Sequence, residues 1–242
     1  MDNVKSDIFI IIPSYEPNVN LVKLISELND RIVSDEGIHI IVVNDGSTAS
    51  YDRYFDEVKN AGCTVLSHEV NKGKGAALKT AFSHCLKNYP SFIGCVTADS
   101  DGQHSVKDIL RCAEELRTHR DELILGCRDF RGDDVPFNSR FGNNITKWVF
   151  KAFCGLKISD TQTGLRGIPS SFMEELLNVP GNRFEFETQM LIVSKDRLPI
   201  REITIDTIYD SKTDHATHFH PIKDSFRIYK IIFFKKHWMP KC

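Results

Sequence analysis

The prediction of the fold rests on one stretch of sequence, Val96-Thr97-Ala98-Asp99-Ser100-Asp101-Gly102-Gln103-His104. It continues an apolar run, 91–96, that is typical of a buried strand, and it places the carboxylates of Asp99 and Asp101 one residue apart. Gly102 indicates that the chain turns here, so both carboxylates can face one ligand. Such a pair suits Mg²⁺ or Mn²⁺, which take oxygen ligands and usually keep a substrate phosphate among them. The alternative for this motif alone is a solvated acidic turn.

Strand-like and helix-like segments alternate around this stretch. Apolar runs typical of strands occupy 8–12, 38–43, 63–67, 91–96 and 123–127, and helical spacing occupies 21–32, 51–60, 76–86 and 106–116. Asn18 or Asn20 is expected to cap the first helix, and Ser105 with Asp108 the last. The alternation predicts an α/β fold with a mostly parallel central sheet and helices on both faces. Ligands of such sheets bind beyond the carboxyl ends of the strands, where the polar clusters of this chain lie.

Length and composition favour one globular domain over residues 1–242, with 41% hydrophobic and 26% charged residues. The net charge of −2 gives no reason to expect nucleic acid as a partner. The N-terminus is polar, and no apolar run approaches the roughly 20 residues that span a bilayer. Seven cysteines without a Cys-x-x-Cys pair predict buried, reduced thiols and a cytoplasmic protein.

The second half of the chain is less regular. Residues 129–144 are rich in Gly, Asp, Asn and Arg and predict a mobile loop. An aromatic helical piece is expected at 148–153, a helix at 184–193 and a strand at 200–208. The tail, 225–242, is basic and amphipathic, which predicts peripheral contact with the inner face of an anionic membrane. The alternative is that its apolar face packs against the domain.

A glycine-rich segment, Asn71-Lys72-Gly73-Lys74-Gly75, joins a predicted strand to a predicted helix. Glycines permit close backbone approach, and a helix N-terminus favours anions. A P-loop would need Ser or Thr directly after Lys74, and a dinucleotide fingerprint would need glycine at Leu78. The segment therefore predicts either a phosphate contact of another kind or a tight turn.

Two further polar segments, Pro13-Ser14-Tyr15-Glu16 and Asn44-Asp45-Gly46-Ser47, end the first two predicted strands. A carboxylate in each can accept hydrogen bonds from a base and a ribose, and Tyr15 can pack on a ring. Each segment alone is typical of a turn. Together with the Asp99 pair, they predict base, sugar and metal–phosphate contacts along one edge of the sheet.

The ordered set of these motifs resembles the inverting glycosyltransferases of family 2. The similarity is to the branch of dolichyl-phosphate mannose synthase and bacterial polyprenyl-phosphate sugar transferases, and it continues through 126–128, 160–166 and 184–187. It implies the GT-A nucleotide-diphospho-sugar transferase fold. It also implies a nucleotide diphosphate sugar donor, a polyprenyl phosphate acceptor and Mg²⁺ or Mn²⁺ as cofactor. Two alternatives remain open: a hydroxyl acceptor on a glycan or lipid, and a catalytically silent protein that binds nucleotide sugars.

The resemblance also assigns roles to residues. It implies nucleotide contacts from Pro13, Tyr15, Glu16, Asp45, Lys74 and Asp99, and metal ligation or support from Asp99, Asp101, Gln103 and His218. Asp160 occupies the position of the catalytic base in hydroxyl-directed relatives, and Arg128, Arg140 and Arg166 are expected to meet phosphates. For Arg140 the alternative is a surface salt bridge. The segment 217–221 resembles the bacterial branch rather than mannose synthases, which leaves the sugar and the lipid open.

Overall fold

The computed structural model describes residues 7–32, 37–128, 147 and 150–206, which form one seven-stranded sheet with helices against it. The strands are β1 Ile8–Ser14, β2 Ile38–Asn44, β3 Thr64–Ser67, β4 Gly94–Thr97, β5 Leu123–Arg128, β6 Arg166–Pro169 and β7 Ile200–Ile205. Their order in the sheet is β3-β2-β1-β4-β6-β5-β7. Strand β6 is antiparallel to β4 and β5, and the other four pairings are parallel. The predicted mostly parallel sheet is therefore confirmed.

Helices cover both faces of the sheet, as predicted. They are α1 Val19–Ile32, α2 Asp52–Asn60, α3 Lys74–Asn88, α4 Val106–Thr118, α5 Ser170–Asn178 and α6 Glu185–Ser194, with a 3₁₀ turn at Ala49–Tyr51 and a π-helical turn at Phe150–Cys154. A hydrophobic core lies on each face of the sheet. Because successive side chains of a strand point to opposite faces, β1 contributes residues to both cores. Phe9 and Ile11 join a core with α3, α5 and α6, whereas Ile8, Ile10 and Ile12 join one with α1, α2 and α4.

The register of the central strands places three strand ends side by side. Ile10 of β1 lies opposite Ile40 of β2 and Val96 of β4, in parallel pairs. Because parallel strands end at the same edge, the segments that follow β1, β2 and β4 leave the sheet together. This edge carries the polar clusters that the sequence singled out.

The first helix begins where one of the two proposed caps lies. Asn18 Oδ1 accepts a hydrogen bond from Asn20 N at 2.8 Å, so Asn18 caps α1. The Asn20 side chain instead donates to the carbonyl of Asp101 at 2.9 Å and ties α1 to the Asp99 segment. Ser105 caps α4 by accepting from Asp108 N at 3.1 Å, as predicted.

The sequence did not predict β6 and α5, and it placed the start of β4 at residue 91 instead of Gly94. Strand β6 has four residues, Arg-Gly-Ile-Pro, so it is too short and too mixed to show alternation. It fits between β4 and β5 because glycine lets the backbones approach. A Cβ on Gly94 would lie 2.2 Å from the carbonyl oxygen of Ile168.

Several predictions fall outside the described residues: the loop at 129–144, Arg140, His218, the tail at 225–242 and residues 148–149 of the aromatic piece at 148–153, whose remainder lies in the π-helical turn. The extent of the single domain over 1–242 stays a prediction. No helix within the described ranges is long and apolar enough to cross a bilayer. The described cysteines are free and buried, as expected, and burial raises the pKa of Cys63 to about 11 and of Cys85 to about 12.

Candidate functional site

The segments after β1 and β2 are joined directly to one another. Asp45 N donates to the Ser14 carbonyl at 2.9 Å, and Glu16 N donates to Ser47 Oγ at 2.8 Å. Asn44 Oδ1 accepts from Ser47 N at 2.9 Å and closes the turn after β2. The structure therefore brings together the two strand ends that were expected to meet a nucleoside.

Tyr15 and Glu16 are partly exposed at this edge, and Pro13 is a buried residue of β1. Glu16 has a φ of +48°, in the left-handed region that non-glycine residues rarely adopt. A hydrogen bond with the Glu16 carboxylate raises the pKa of the Tyr15 hydroxyl, and partial burial adds to the effect. The two side chains thus form one polar unit beside the turn after β2.

Lys74, the first residue of α3, forms a charged cluster with two carboxylates. Its ammonium lies 2.6 Å from Asp99 Oδ1 and 2.9 Å from Glu187 Oε2 of α6. On the other side of Asp99, His104 Nε2 lies 3.4 Å from Oδ2. Gly164 backs the Asp99 carboxylate so closely that a Cβ there would lie 2.4 Å from Oδ2. We call Lys74, Asp99, Glu187 and His104 the Lys74 cluster.

Burial and neighbouring charges shift the pKa values of Lys74 and Asp99 in opposite directions, and the effect of the charges is larger. Burial by itself lowers the pKa of Lys74, but Asp99 and Glu187 raise it above its ordinary range. Burial by itself raises the pKa of Asp99, but the Lys74 ammonium and His104 hold it well below its ordinary range. Lys74 and Asp99 are therefore both charged at neutral pH.

Asp101 has a different environment from Asp99. Its Oδ1 accepts from Gln103 N at 3.0 Å, within a turn that Gly102 makes with a φ of +83°. Burial and then the negative charge of Asp99 raise the pKa of Asp101. A second negative charge beside Asp99 is thus unfavourable unless a cation offsets it.

These two carboxylates fit a divalent cation. Hard cations prefer oxygen ligands, and the raised pKa of Asp101 marks a site where added positive charge would be favourable. No group of three or more His, Cys, Asp or Glu side chains able to hold a metal occurs in the described part of the chain. A diphosphate and water, which Mg²⁺ usually keeps among its ligands, are candidates for the remaining positions, together with the predicted Gln103 and His218.

Asp45 is buried and already makes several hydrogen bonds. Its Oδ1 accepts from Lys72 N at 2.9 Å and lies 2.7 Å from His68 Nδ1, and its Oδ2 accepts from Gly73 N at 2.7 Å. A carboxylate has about four acceptor positions, so about one remains for a ligand. The predicted nucleotide contact by Asp45 thus shares its carboxylate with the glycine-rich turn.

The glycines of this turn serve close backbone packing. A Cβ on Gly73 would lie 2.4 Å from the Asn182 carbonyl oxygen, and one on Gly75 would lie 2.5 Å from Phe186 Cβ. Ala76 N donates to the Asn182 carbonyl at 2.9 Å. The turn is therefore pressed against the start of α6, and this contact brings Lys74 within reach of Glu187.

Asp160 lies apart from the Lys74 cluster in a pair with Arg128, at the end of β5. Arg128 Nε lies 2.7 Å from Oδ2 and Nη2 lies 3.1 Å from Oδ1, a bidentate arrangement. Gln162 N also donates to Oδ1 at 3.0 Å, and Asp160 is fully buried. In this arrangement both carboxylate oxygens are buried and already accept hydrogen bonds, which leaves no exposed acceptor for the proton of a hydroxyl.

Arg166 is also buried, with its guanidinium inside the protein. Nε donates to the Thr163 carbonyl at 3.2 Å, and Nη1 donates to the Glu187 carbonyl at 2.5 Å. Burial lowers the pKa of Arg166 despite the nearby carboxylates. Among the described residues, its Nη2 has no hydrogen-bond partner. Arg166 thus lies directly behind Glu187, and the predicted phosphate contact stays a prediction.

Three site residues were not selected from the sequence: His68, His104 and Glu187. Glu187 lies in segment 184–187, which is part of the family resemblance, but one carboxylate in an apolar helical run has no spacing that marks it. His104 lies within the opening stretch, and His68 directly follows a strand. His68 lies 23 residues from its partner Asp45 in sequence. Glu187 meets Lys74 from a different helix, so tertiary packing decides both contacts.

The fold and the site together define a nucleotide-sugar transferase of the GT-A type. The family model described as glycosyl transferase family 2 matches residues 9–177, which is more than half of the chain. The chain belongs to glycosyl transferase family 2. The predicted family is therefore confirmed.

Similar proteins of known sequence include two from archaea. An uncharacterized protein of Methanocaldococcus jannaschii is 28% identical over 85% of this chain and 83% of its own length. A UDP-N-acetylglucosamine–dolichyl-phosphate N-acetylglucosaminyltransferase of Methanococcus voltae is 27% identical over 84% of this chain and 86% of its own. A dolichyl-phosphate beta-glucosyltransferase of Saccharomyces cerevisiae is 22% identical over 81% of this chain and 65% of its own.

A solved structure supports the fold. Glucosyl-3-phosphoglycerate synthase from Mycobacterium tuberculosis, in complex with Mn²⁺, uridine diphosphate and glucosyl-3-phosphoglycerate, superposes with a TM-score of 0.67 at 18% identity. The match covers 94% of this chain and 77% of the other. The predicted GT-A fold is confirmed by this likeness.

Proposed function

We propose that this chain transfers a sugar, with inversion, from a nucleotide diphosphate sugar to a polyprenyl phosphate. The observation that carries the proposal is the meeting of three polar strand ends at one edge of the sheet. Glu16 and Asp45 follow β1 and β2, and Asp99 follows β4. Family membership supports the reaction class, and the names of the relatives in M. voltae and S. cerevisiae support a lipid phosphate acceptor.

In this proposal the nucleoside lies across the ends of β1 and β2. Tyr15 offers a ring face, and Glu16 and Asp45 offer carboxylate oxygens to the base and ribose. Lys74 begins α3 at this edge, but its ammonium is shared by Asp99 and Glu187, so a cation at the Asp99–Asp101 pair is needed before an anion is favoured there. A diphosphate that arrives with its metal cation meets this requirement.

Asp101, with Asp99, would hold Mg²⁺ or Mn²⁺, supported by Gln103 and His218. When bound, the cation neutralises the negative charge that develops on the departing diphosphate. Lys74 already offsets the charge of Asp99, so Asp101 is the carboxylate with the greater need of a cation. Loss of Asp101 is therefore expected to affect metal dependence most.

The environment of Asp160 favours a phosphate acceptor over a hydroxyl. A hydroxyl must lose a proton as it attacks, whereas a lipid phosphate is anionic at neutral pH and needs no strong base. Asp160 is buried and paired with Arg128, which makes it a poor base. We infer that Asp160 holds Arg128 in place, and that Arg128, with Arg140 and Arg166, meets phosphate groups.

The acceptor would be drawn from a membrane, so we propose peripheral attachment at its cytoplasmic face. The basic tail, 225–242, carries the apolar and cationic residues that such contact needs. Residues 129–144, which are rich in Gly, Asp, Asn and Arg, are proposed as a mobile loop.

A thermal-shift panel tests the donor site. UDP-, GDP- and dTDP-sugars are added with and without Mn²⁺, because a ligand that binds the folded state raises the melting temperature. We expect one nucleotide series to stabilise the protein, more strongly with Mn²⁺, and the gain from Mn²⁺ to disappear in Asp101→Asn. Absence of stabilisation by every nucleotide sugar would contradict the proposal.

A further inference from the structure

Behind the glycine-rich turn lies a row of three side chains: the buried Asp45 after β2 and His68 after β3, and the half-buried Thr80 on α3. His68 Nδ1 lies 2.7 Å from Asp45 Oδ1, and Nε2 lies 2.9 Å from Thr80 Oγ1. The side chains of His68 and Asp45 are only 5% and 4% exposed. We call these three residues the Asp45–His68–Thr80 brace.

The chemistry of the partners fixes the direction of the hydrogen bonds. Because an ionised carboxylate can only accept, the hydrogen on the His68 ring belongs on Nδ1 and points to Asp45. In the tautomer with the hydrogen on Nδ1, Nε2 accepts from the Thr80 hydroxyl. Both ring nitrogens are satisfied in this tautomer, which suits a buried histidine.

The brace acts on the turn that carries Lys74. The Asp45 carboxylate that His68 orients also accepts from the backbone of Lys72 at 2.9 Å and Gly73 at 2.7 Å. The next residue is Lys74, whose ammonium lies 2.6 Å from Asp99. A short series of contacts thus runs from the His68 ring to the carboxylate pair of the proposed donor site.

The backbone around the brace is closely packed as well. His68 N donates to the Asn44 carbonyl at 2.9 Å, so the residue bonds to the end of β2 through both backbone and ring. A Cβ on Gly46 would lie 2.2 Å from the Val70 carbonyl carbon, which shows how tightly the turn after β2 packs on this segment. Small movements of Asp45 would therefore be transmitted to the glycine-rich turn.

We propose that His68 is a positioning residue for the donor site. By orienting Asp45, it holds the backbone of Lys72 and Gly73 and thereby sets the position of Lys74 against Asp99. Thr80 completes the brace by fixing the ring from α3. The expected effect of His68 on sugar transfer rests on the proposed function. Its expected effect on the position of the glycine-rich turn does not.

Two substitutions of His68 separate the contributions of its two ring nitrogens. His68→Asn keeps an N–H donor at the position of Nδ1, and His68→Gln reaches the position of Nε2 and loses the donor to Asp45. Thr80→Val removes the hydroxyl at nearly constant volume. His119→Asn is the matched control, because His119 also faces carboxylates, Glu115 and Glu122, but at the far end of α4.

The first measurement is hydrogen exchange of the Lys72 and Gly73 amides in the full chain. We expect exchange at least about 10-fold faster in His68→Gln, recovery toward wild-type in His68→Asn, and no change in His119→Asn. The other core amides of β1 and β2 report whether the fold is intact. Wild-type protection of both amides in His68→Gln, with the fold intact, would overturn the proposal.

The second measurement separates KM for the nucleotide sugar from kcat with a polyprenyl phosphate acceptor. A misplaced turn should raise the donor KM in His68→Gln at least about 10-fold while the acceptor KM stays constant, and His68→Asn should recover most of the loss. A donor KM unchanged in His68→Gln would overturn the positioning role. If wild-type protein transfers no sugar, the proposed function fails. The hydrogen-exchange experiment still tests whether His68 positions the glycine-rich turn.

Discussion

Lys74 Nζ lies 2.6 Å from Asp99 Oδ1 and joins the first residue of α3 to the segment that follows β4. The same ammonium lies 2.9 Å from Glu187 of α6, so one cation offsets two carboxylates from two other elements. The side chains of Lys74 and Glu187 are mostly buried. Since an unpaired buried charge is costly, the Lys74 cluster contributes to stability as well as to the charge of the site.

Replacing Lys74 by methionine tests this relationship. Lys74→Met keeps the length of the side chain and leaves Asp99 and Glu187 without their shared cation, so we expect a loss of about 3 kcal/mol in the free energy of unfolding. Urea denaturation measures it. Lys87→Met, on the exposed side of α3, is the control and should change stability by less than about 0.5 kcal/mol. Equal effects of the two substitutions would contradict the role of Lys74.

The Arg128–Asp160 pair offers a second test, by a double-mutant cycle with Arg128→Met and Asp160→Asn. We expect a coupling energy of about 1–3 kcal/mol in unfolding experiments, because Asp160 is fully buried and the contact is bidentate. The pair Arg201–Glu122 has the same two contacts at 2.7 and 3.1 Å, but its side chains are 38% and 25% exposed, so it serves as control. Its coupling should stay below about 1 kcal/mol.

The same Asp160→Asn variant bears on the acceptor. With a phosphate acceptor, its turnover should keep the wild-type dependence on pH, because no proton is taken from the acceptor. Loss in Asp160→Asn of an ionisation that the wild-type kcat profile shows would instead identify Asp160 as a base and the acceptor as a hydroxyl.

Gly73 tests the packing of the glycine-rich turn. Gly73 has a φ of +99° and a ψ of 158°, a conformation that is essentially restricted to glycine, and a Cβ there would lie 2.4 Å from the Asn182 carbonyl oxygen. We expect Gly73→Ala to destabilise the fold by about 2–4 kcal/mol in urea denaturation. Gly62 has a similar φ of +93° but an open surrounding, so Gly62→Ala should cost only about 1 kcal/mol. Equal losses would show that the Asn182 contact is unimportant.

The buried thiols give a prediction about pH. The pKa of Cys63 is raised to about 11 and that of Cys85 to about 12, whereas a free thiol has a pKa of about 8.5. The folded state therefore holds these protons more tightly than the unfolded chain. Their contribution to stability is fully present below about pH 8.5 and is lost as the pH rises toward 11 and 12.

Site-resolved alkylation at pH 8 measures this protection. Cys63 and Cys85 should react at least about 10-fold more slowly in the native protein than in urea, because the thiolate is the reactive form. The decline of stability between pH 8 and pH 10 should also be smaller in the Cys63→Ala, Cys85→Ala double variant. Native labelling as fast as in urea would show that these thiols are accessible.

The strands and helices with a regular apolar pattern could be predicted from the sequence. The run at 8–12 is apolar throughout, and the run at 38–43 is apolar except for His39, because both faces of the sheet are covered. The structure confirms them as β1 and β2. Strand β6 was not predicted, because its four residues lack a pattern and its place between β4 and β5 depends on close packing at Gly94. Local pattern does not report such long-range fit.

The candidate site divides in the same way. Asp45 and Asp99 were selected because they follow strands, and the structure places them at the same edge. Glu187 and His68 acquire their partners only when α6 and the segment after β3 pack beside that edge. The ion pair between Arg128 and Asp160 is likewise a tertiary contact, because the two residues are 32 positions apart in the sequence. The role of Asp160, as a base or as the partner that holds Arg128, therefore stays a prediction.

The central claim is sugar transfer that depends on the carboxylate pair after β4. The most direct measurement incubates the protein with Mn²⁺, polyprenyl phosphate and UDP-, GDP- or dTDP-sugars, and follows lipid-linked sugar and its anomeric configuration. The account predicts product of inverted configuration from one nucleotide series with wild-type protein, and at least about 100-fold less with Asp101→Asn at unchanged stability. No lipid-linked product from any donor, or undiminished metal-dependent turnover in Asp101→Asn, would contradict it.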